Sequence, residues 1–375
     1  MKNSRLLCAV AVITAAMTIV SAQAYACTAF QLTSNDGAKI YFRSMEFGFP
    51  FHSQVVVVPR GTQYTGTAPD GKPGLKWVTR YGVVGLNVDI APNVVTDGMN
   101  EKGLVVGMLY LPGYAQFLPP DASKTDRTIG DWELATYLLS TVATVDEARQ
   151  VLLKEKAYVA QQIFPSFKQL LPLHFYISDN TGAVVIAEYV NGKLSLHDGG
   201  VGVLTNSPPF DWQNINLSNY VNLSPVNAPV MDLSGLNIQN FGQGSGMLGI
   251  PGDYTPPSRF VRAALFSHWV TPGKTALDTV NAGFHVLNTF DIFDGAIRQA
   301  GPPKPQSVET DNTEWVVAHD RTNLRTYVRT YGGLTIQMID LKKIDFGRPG
   351  LRQIMLDSTF APVDITGTAT ELAAK

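Results

Sequence analysis

Residues 27–43 read CTAFQLTSNDGAKIYFR, two apolar stretches on either side of the turn sequence SNDG. Asn, Asp and Gly tolerate the backbone angles of tight turns, so the pattern predicts a β-hairpin with strands at 27–33 and 38–43. We expect Cys27 to open the first strand and Arg43 to close the second strand near the same end.

The segment before the hairpin has the composition of a secretory signal. Lys2 and Arg5 form a positive start, residues 6–20 are apolar and uncharged, and Ala24 and Ala26 are the small residues that a signal peptidase requires. The apolar run is shorter than the roughly 20 residues of a membrane-spanning helix. We therefore expect cleavage after Ala26, a periplasmic or secreted protein, and no stable membrane insertion after cleavage.

The chain contains two cysteines, Cys8 inside the predicted signal and Cys27 directly after it. Cys27 has three interpretations: a chance cysteine, a lipid-anchored cysteine, and an N-terminal nucleophile. The bulky Tyr25 fits poorly in a lipoprotein signal. As a nucleophile, Cys27 would gain a free α-amine with an ordinary pKa of about 7.7–8.0, which can accept the thiol proton. Base and attacking sulfur would then lie on one residue.

Composition and charge limit the other classes of function. The 375 residues are 45% hydrophobic and 16% charged, which is typical of a globular protein. The net charge is -2, and no basic stripe favours nucleic acid. The six histidines lack metal-binding spacing, no serine lies in a GxSxG motif, and the GxGxxG match at 244–249 precedes Pro251 instead of a helix.

Hydrophobic patterns along the chain predict an α+β fold in which strands and helices are segregated, within a single domain covering 27–375. Residues 223–257, rich in Pro, Gly and Asn, predict a long surface excursion. Further strands are expected at 55–59, 81–88, 103–110, 173–178, 183–189, 314–319, 325–329 and 335–340, and helices at 129–139, 145–155, 258–270 and 274–289.

Five motifs in this order resemble the choloylglycine hydrolase family, which contains bile salt hydrolases and penicillin V acylases. They are CTAF (27–30), YFRSME (41–46), DGMNEKGL (97–104), LTNSP (204–208) and GIPGD (249–253), the last followed by PSRF (257–260). The resemblance covers nearly all of the chain after the signal. It implies the αββα sandwich of N-terminal nucleophile hydrolases, no cofactor or metal, and a possible homo-tetramer.

The resemblance also implies roles for individual residues. Cys27 matches the family nucleophile, and Arg43 matches the arginine whose charge favours the thiolate. Asn206 matches an asparagine of the oxyanion hole, and Arg259 matches a second arginine near the site. Glu46 stands where the family normally has Asp beside the α-amine, which leaves open whether its carboxylate reaches Cys27.

Tyr110 is the candidate for the second oxyanion position when the residues after the DGMNEKGL motif are counted without a gap. Penicillin V acylases carry Tyr there and bile salt hydrolases carry Asn, which favours the former. With a shift of one residue, LPGY (111–114) also resembles the bile salt hydrolases, so both substrate groups stay open. Phe47, Leu109, Phe210 and Trp212 are candidates for an apolar acyl pocket.

The sequence thus predicts an exported enzyme of the Gram-negative type that cleaves a linear amide between an apolar acyl group and an amine through an acyl-thioester on Cys27. Penicillin V and N-acyl homoserine lactones are the first substrate candidates, and conjugated bile salts are the second. The alternative from another class is a lipid-anchored binding protein on the same scaffold.

Overall fold

The structure, a computed structural model, describes residues 26–298 and 310–370. Two antiparallel sheets lie face to face at its centre, and helices cover the outer face of each sheet. The order helix, sheet, sheet, helix is the predicted αββα sandwich, and it confirms the α+β class. The predicted signal peptide, apart from Ala26, lies outside the described residues.

The strands and helices have the following bounds. The strands are β1 (Cys27–Thr33), β2 (Lys39–Phe47), β3 (Val55–Val58), β4 (Gln63–Thr67), β5 (Pro73–Val78), β6 (Val83–Leu86), β7 (Asp97–Asn100), β8 (Val105–Tyr110), β9 (Thr128–Gly130), β10 (Tyr158–Ala160), β11 (Ile163–Phe164), β12 (Gln169–Leu170), β13 (Leu173–Ser178), β14 (Val184–Val190), β15 (Lys193–Asp198), β16 (Met231–Leu233), β17 (Leu236–Ile238), β18 (Ile297–Arg298), β19 (Thr310–Asp320), β20 (Arg325–Thr330), β21 (Gln337–Asp340) and β22 (Arg352–Ile354). The α-helices are α1 (Leu134–Thr141), α2 (Val145–Leu153), α3 (Phe210–Asn216), α4 (Pro256–Trp269) and α5 (Ala276–Leu287).

The first sheet has the order β1-β2-β19-β20-β21, with β18 paired to β19. The second sheet has the order β15-β14-β13-β8-β7-β6-β3-β22. Helices α4 and α5 pack on the first sheet, and α1 and α2 pack on the second. Between the sheets, the ring of Tyr41 on β2 lies 5.0 Å from the ring of Tyr176 on β13. The two inner faces therefore share one buried core.

The predicted hairpin forms, and its register places the first site residues. Gly37 completes the turn with a φ of 88°, a conformation that glycine adopts without steric cost. The second strand runs on to Phe47, so Arg43 pairs with Ala29 in mid-strand and does not close the strand as expected. Met45 is the residue that lies opposite Cys27.

All four predicted helices form with shifted bounds, and the one predicted at 129–139 differs most, because it begins only at Leu134. The α2 and α5 helices begin after Thr144 and Thr275, whose side chains accept a hydrogen bond from the first turn. The α4 helix starts earlier than expected, at Pro256, because proline suits the first helical turn. The start of the predicted helix at 129–139 is instead β9, which pairs in parallel with β10.

Residues 223–257 form a mostly exposed excursion that carries the short hairpin of β16 and β17. Several apolar side chains of this segment are exposed, Phe241 among them. Within the described part of the chain, every helix is too short or too polar to cross a bilayer.

Candidate active site

The thiol of Cys27 lies at the start of β1, between the two sheets, and the residue is fully buried. Its backbone nitrogen is a peptide amide joined to Ala26, and it donates a hydrogen bond of 2.8 Å to Oδ1 of Asn206. Its Sγ lies 3.7 Å from Nη2 of Arg43 and 3.9 Å from Sδ of Met45. The sulfur thus faces one cation and one thioether.

The pleat of the hairpin explains these contacts. Side chains directly opposite in an antiparallel pair project from the same face, and alternate residues along a strand share a face. Met45 is opposite Cys27, and Arg43 is two residues before Met45. All three side chains therefore point from the first sheet toward the second.

The guanidinium of Arg43 is held by a set of buried acceptors. Its Nη1 lies 3.0 Å from Oδ2 of Asp97 and donates to the carbonyl of Thr96 at 3.0 Å. Its Nη2 donates to the carbonyl of Met108. Arg43 also lies over the ring of Trp315, with 5.3 Å between the guanidinium carbon and the ring centroid. The charge is thus fixed in place beside the sulfur.

Burial raises the pKa of the Cys27 thiol, and the charge of Arg43 opposes this shift without cancelling it. Burial also disfavours the charged form of Arg43, but Cys27 and Asp97 outweigh that effect and hold the guanidinium pKa above its ordinary value. While Cys27 is joined to Ala26, the thiol is therefore neutral and the guanidinium is charged. The expected thiolate requires a base in addition to Arg43.

Asn206 connects Cys27 with the neighbouring elements. Its Oδ1 accepts from Cys27 N and, at 2.7 Å, from Nη2 of Arg259, while its Nδ2 donates to the carbonyl of Tyr110 at 2.8 Å. Arginine can only donate, so the oxygen of the amide must face Arg259. Arg259 also donates to the carbonyl of Cys27 and to Oγ1 of Thr28. The sequence-predicted residues Cys27, Asn206 and Arg259 are thus in direct contact.

Tyr110 lies beside Asn206 at the end of β8. In an extended strand the N–H and C=O of one residue point toward the same edge. Because the carbonyl of Tyr110 meets Asn206, its N–H also projects toward the Asn206 side of the strand. This position is compatible with the predicted oxyanion role, with the backbone as donor.

Glu46 lies on the opposite face of β2 from the thiol. Its N–H donates to the carbonyl of Ala26 at 3.0 Å, and its carboxylate accepts from Oγ1 of Thr313 at 3.4 Å. Burial raises the pKa of Glu46 to about 8, against the lowering effect of Arg259. The backbone N–H of Glu46 is thus bonded to Ala26, the residue before Cys27. Among the described residues, no hydrogen bond joins the Glu46 carboxylate to Cys27.

An apolar pocket begins at Met45, next to the sulfur. The cavity has a volume of about 50 Å³ and is lined by Met45, Phe51, Val88, Ala91, Val94, Thr96, Met108, Tyr110, Trp132, Phe164, Phe167, Leu171 and Leu173. Phe47 packs behind this wall, with its ring centroid 4.1 Å from that of Phe51 and 5.8 Å from that of Tyr110. An acyl group attached to Cys27 would have this wall as its nearest apolar surface.

None of the four predicted pocket residues lines this cavity: Phe47 packs behind the wall, and the other three lie elsewhere. Leu109 is buried on the opposite face of β8, because the strand alternation that directs Met108 and Tyr110 into the pocket turns their neighbour away. Phe210 begins α3, and its ring packs against Phe260 of α4. Its backbone N–H donates to the carboxylate of Glu188. Trp212 lies on α3 and is 45% exposed. Both aromatic side chains of α3 thus lie outside the cavity wall.

Sequence reasoning missed Asp97 and most of the aromatic wall. Asp97 is the first residue of the DGMNEKGL motif, and an acid at the start of an apolar strand was an available signal. Asn100 of the same motif is structural, since its amide donates to the carbonyls of Leu139 and Val142. No group of three or more His, Cys, Asp or Glu within residues 26–298 and 310–370 has the arrangement of a metal site.

Comparisons with known proteins agree with this geometry. Residues 27–358 match the family described as linear amide C–N hydrolases, choloylglycine hydrolase family. The bile salt hydrolase/transferase of Clostridium perfringens is 32% identical over 84% of this chain and 93% of its own length. The penicillin V acylase of Pectobacterium atrosepticum is 30% identical over 91% of this chain and 88% of its own length. A crystal structure of a mutant conjugated bile acid hydrolase from C. perfringens superposes with a TM-score of 0.79 and 28% identity, over 91% of this chain and all of that one.

Proposed function

Since the chain belongs to the choloylglycine hydrolase family of linear amide C–N hydrolases, we propose that it is an exported N-terminal-cysteine amidase for substrates with an apolar acyl group. The observation that carries the proposal is the position of Cys27. Its sulfur lies between Arg43 and the apolar pocket, and its backbone nitrogen donates a hydrogen bond to Asn206. Nucleophile, cation, oxyanion candidate and acyl pocket therefore converge on one residue.

Cleavage after Ala26 supplies the missing base. The nitrogen of Cys27 becomes an amine close to its own sulfur and takes the thiol proton, directly or through one water. The thiolate attacks the substrate carbonyl, and the developing oxyanion is held by Nδ2 of Asn206 and the N–H of Tyr110. The carbon–nitrogen bond then breaks, the leaving amine takes the proton from the α-ammonium group, and water hydrolyses the acyl-thioester.

The pocket wall supports an acyl group without hydroxyl substituents. Only Thr96 and Tyr110 among the lining residues carry a hydroxyl, and that of Thr96 donates to the carbonyl of Leu86 at 3.0 Å. A steroid with several hydroxyl groups would lose hydrogen bonds to water in such a wall. Penicillin V and N-acyl homoserine lactones therefore remain the first candidates. Conjugated bile salts are the second, because of the similarity to a bile salt hydrolase/transferase.

The size of the cavity adds one condition. An apolar cavity of about 150 Å³ accommodates benzene, whereas the cavity beside Met45 measures about 50 Å³. An aromatic acyl group therefore requires the wall to open.

A substrate panel tests the proposal. Purified mature protein is incubated with penicillin V, an N-acyl homoserine lactone and a glycine-conjugated bile salt at equal concentration, and release of primary amine is measured. We expect the first two to react faster. Faster release from the bile salt would reverse the substrate order, and no release from any of the three would contradict the acyl class.

Cys27→Ser is the matched control for the panel. We expect loss of amine release with an unchanged melting temperature, because a serine hydroxyl is a far weaker nucleophile than a thiolate. Retained turnover would refute the mechanism. Intact mass of the exported protein tests the N-terminus: a chain that begins at an unmodified Cys27 is expected, and an added lipid mass would indicate the anchored alternative.

A further inference from the structure

Arg43 carries a full positive charge although its side chain is buried between the two sheets. Its side chain and that of Asp97 are completely buried, and no other ion pair of Arg43 occurs within the described residues. Removing a guanidinium from water is costly unless its partners are well placed. The orientation also matters, because Nη1 faces Asp97 while Nη2 is the nitrogen that touches the sulfur.

The carboxylate of Asp97 is itself held by two further donors. Its Oδ2 accepts from the hydroxyl of Tyr41 at 2.8 Å in addition to Arg43, and its Oδ1 lies 2.8 Å from Nε2 of His319. Asp97 belongs to the second sheet, whereas Tyr41, Arg43 and His319 belong to the first. The carboxylate therefore bridges the sheets at the level of the nucleophile.

The ring of His319 is fixed at both nitrogens. Nδ1 lies 2.8 Å from Oγ1 of Thr326, and Nε2 faces the carboxylate, which makes Nε2 the donor of that pair. The ring also stacks on Tyr41 with 5.9 Å between centroids. His319 is fully buried, so its two hydrogen bonds cannot be replaced by bulk water.

Gly107 leaves the space that this cluster occupies. It lies opposite Asp97 in the pairing of β7 with β8. A Cβ atom at this position would come within 2.4 Å of the Tyr41 hydroxyl and 2.7 Å of Oδ2 of Asp97. The backbone of the second sheet is thus shaped around the Tyr41–Asp97 contact.

We infer that Asp97 and His319, with Tyr41, are positioning residues that keep Nη2 of Arg43 directed at the Cys27 sulfur. A carboxylate that has lost one of its donors can accept a second N–H from the same guanidinium, in the bidentate geometry that arginine favours. The nearest second nitrogen is Nη2, so the cation would turn from the sulfur toward Asp97. The inference rests on the proposed function, because it assigns the cluster to the reactivity of that nucleophile.

His319→Phe tests this by removing both ring nitrogens while keeping an aromatic ring on Tyr41. A protein without residues 1–26 has one thiol, so the rate of alkylation by iodoacetamide against pH reports Cys27 directly. An opposite charge within about 4–6 Å lowers a pKa by roughly one to three units, so partial loss of Arg43 should raise the alkylation midpoint by about one unit. At neutral pH this lowers kcat/KM about tenfold.

His319→Gln is the rescue variant, since its amide nitrogen can replace Nε2 as donor to Asp97; it should restore the midpoint and kcat/KM. His174→Phe is the control: His174 is also fully buried and bonded to an acid, Glu188, but its other nitrogen meets the carbonyl of Thr205. It should leave the alkylation midpoint unchanged. A merely structural role predicts no difference between the two phenylalanine variants.

Tyr41→Phe decides the question if His319→Phe does not fold, because it removes only one hydroxyl. We expect the midpoint to rise, whereas Tyr176→Phe, whose hydroxyl donates to the carbonyl of Gly202, should not move it. An unchanged midpoint in folded His319→Phe or Tyr41→Phe, or no rescue by glutamine, would overturn the inference. Alkylation needs no substrate, so a failed substrate panel would leave this test intact.

Discussion

The two faces of β2 treat buried charge in opposite ways. On the face toward the second sheet, Arg43 is paired with Asp97 and keeps its charge beside the sulfur. On the face toward the helices, Glu46 has one carboxylate oxygen without a hydrogen-bond partner in the part of the chain that the structure describes, and burial raises its pKa to about 8. Residues three positions apart on one strand are thus held charged and neutral, respectively.

This difference separates two tasks of the site. The inner face is organised around a fixed cation that can stabilise a thiolate. The outer face holds the backbone next to the proposed cleavage position, through the N–H of Glu46 and through Arg259, which reaches the carbonyl of Cys27. Asn206 touches both systems, because it accepts from Cys27 N and from Arg259.

Replacing Asn206 with alanine should have the largest effect, because it removes the residue that joins the two faces. The variant loses the proposed oxyanion donor and leaves Arg259 without one of its acceptors. Loss of one oxyanion donor costs about 100- to 1000-fold in kcat, and we expect a decrease of that size. Steady-state kinetics on the best substrate of the panel measures it.

Asn214→Ala is the matched control for this measurement. Asn214 lies on α3, and its amide donates to the carbonyl of Phe210 in the same helix. Its kcat should stay within about twofold of the parent protein, since partly exposed substitutions of this kind have small effects. A drop of less than tenfold in Asn206→Ala would remove Asn206 from the oxyanion role.

Arg43→Lys sharpens the comparison on the inner face with a smaller expected effect. A lysine ammonium is a single point charge, whereas Arg43 uses two nitrogens to serve Asp97, two carbonyls and the sulfur. The ion pair with Asp97 should draw the lysine away from Cys27. We expect the alkylation midpoint to rise by about one pH unit and kcat/KM at neutral pH to fall about tenfold.

Arg60→Lys is the control for a conservative arginine change outside the site. Arg60 is half-exposed and pairs with Glu101 at the surface. Surface ion pairs contribute about 0–1 kcal/mol, so neither alkylation nor turnover should change. If Arg43→Lys behaved in the same way, the fixed orientation of the guanidinium would be irrelevant to the sulfur.

The sequence was sufficient for the elements whose signals are local. The turn at Gly37 and the starts of α2 and α5 after Thr144 and Thr275 depend on residues that are close in sequence, and each element formed. The helix predicted from Ile129 was wrong at its start, because the partner that makes β9 a strand lies about thirty residues later in β10. Pairing between distant segments is invisible to a local pattern.

The same limit on contacts between distant segments explains which site residues could be predicted. The motif resemblance selected Cys27, Asn206 and Arg259, and the structure brings them into contact. Side chains alternate between the two faces of β8, so the face that meets the pocket decides whether Leu109 or Met108 lines it. A shift of one residue exchanges the two. The contacts of Asp97 in the site come from Arg43, Tyr41 and His319, which all belong to the other sheet.

Glu46→Gln tests the outer face and should have the smallest effect, on stability and its pH dependence. The folded state holds a proton on Glu46 up to about pH 8, whereas an unfolded glutamate releases it near its ordinary pKa of 4.5. Folding therefore takes up a proton between these values, and stability falls as pH rises from about 4.5 to 8. Glutamine remains neutral, so the variant should gain a few degrees in melting temperature over the parent at pH 8 and little at pH 5.

Glu101→Gln supplies the opposite sign. Burial acts to raise the pKa of Glu101, but the Arg60 contact and the N–H of Gly82 outweigh it and lower the pKa below its ordinary value. Its stabilising contribution is complete above the unfolded pKa and is lost only as pH falls through the folded pKa. Between pH 5 and 8 the melting temperature of Glu101→Gln should therefore lie below the parent by a constant amount, whereas that of Glu46→Gln should diverge upward. Parallel curves for both variants would mean that Glu46 is charged in the folded protein, and the contrast between the two faces of β2 would disappear.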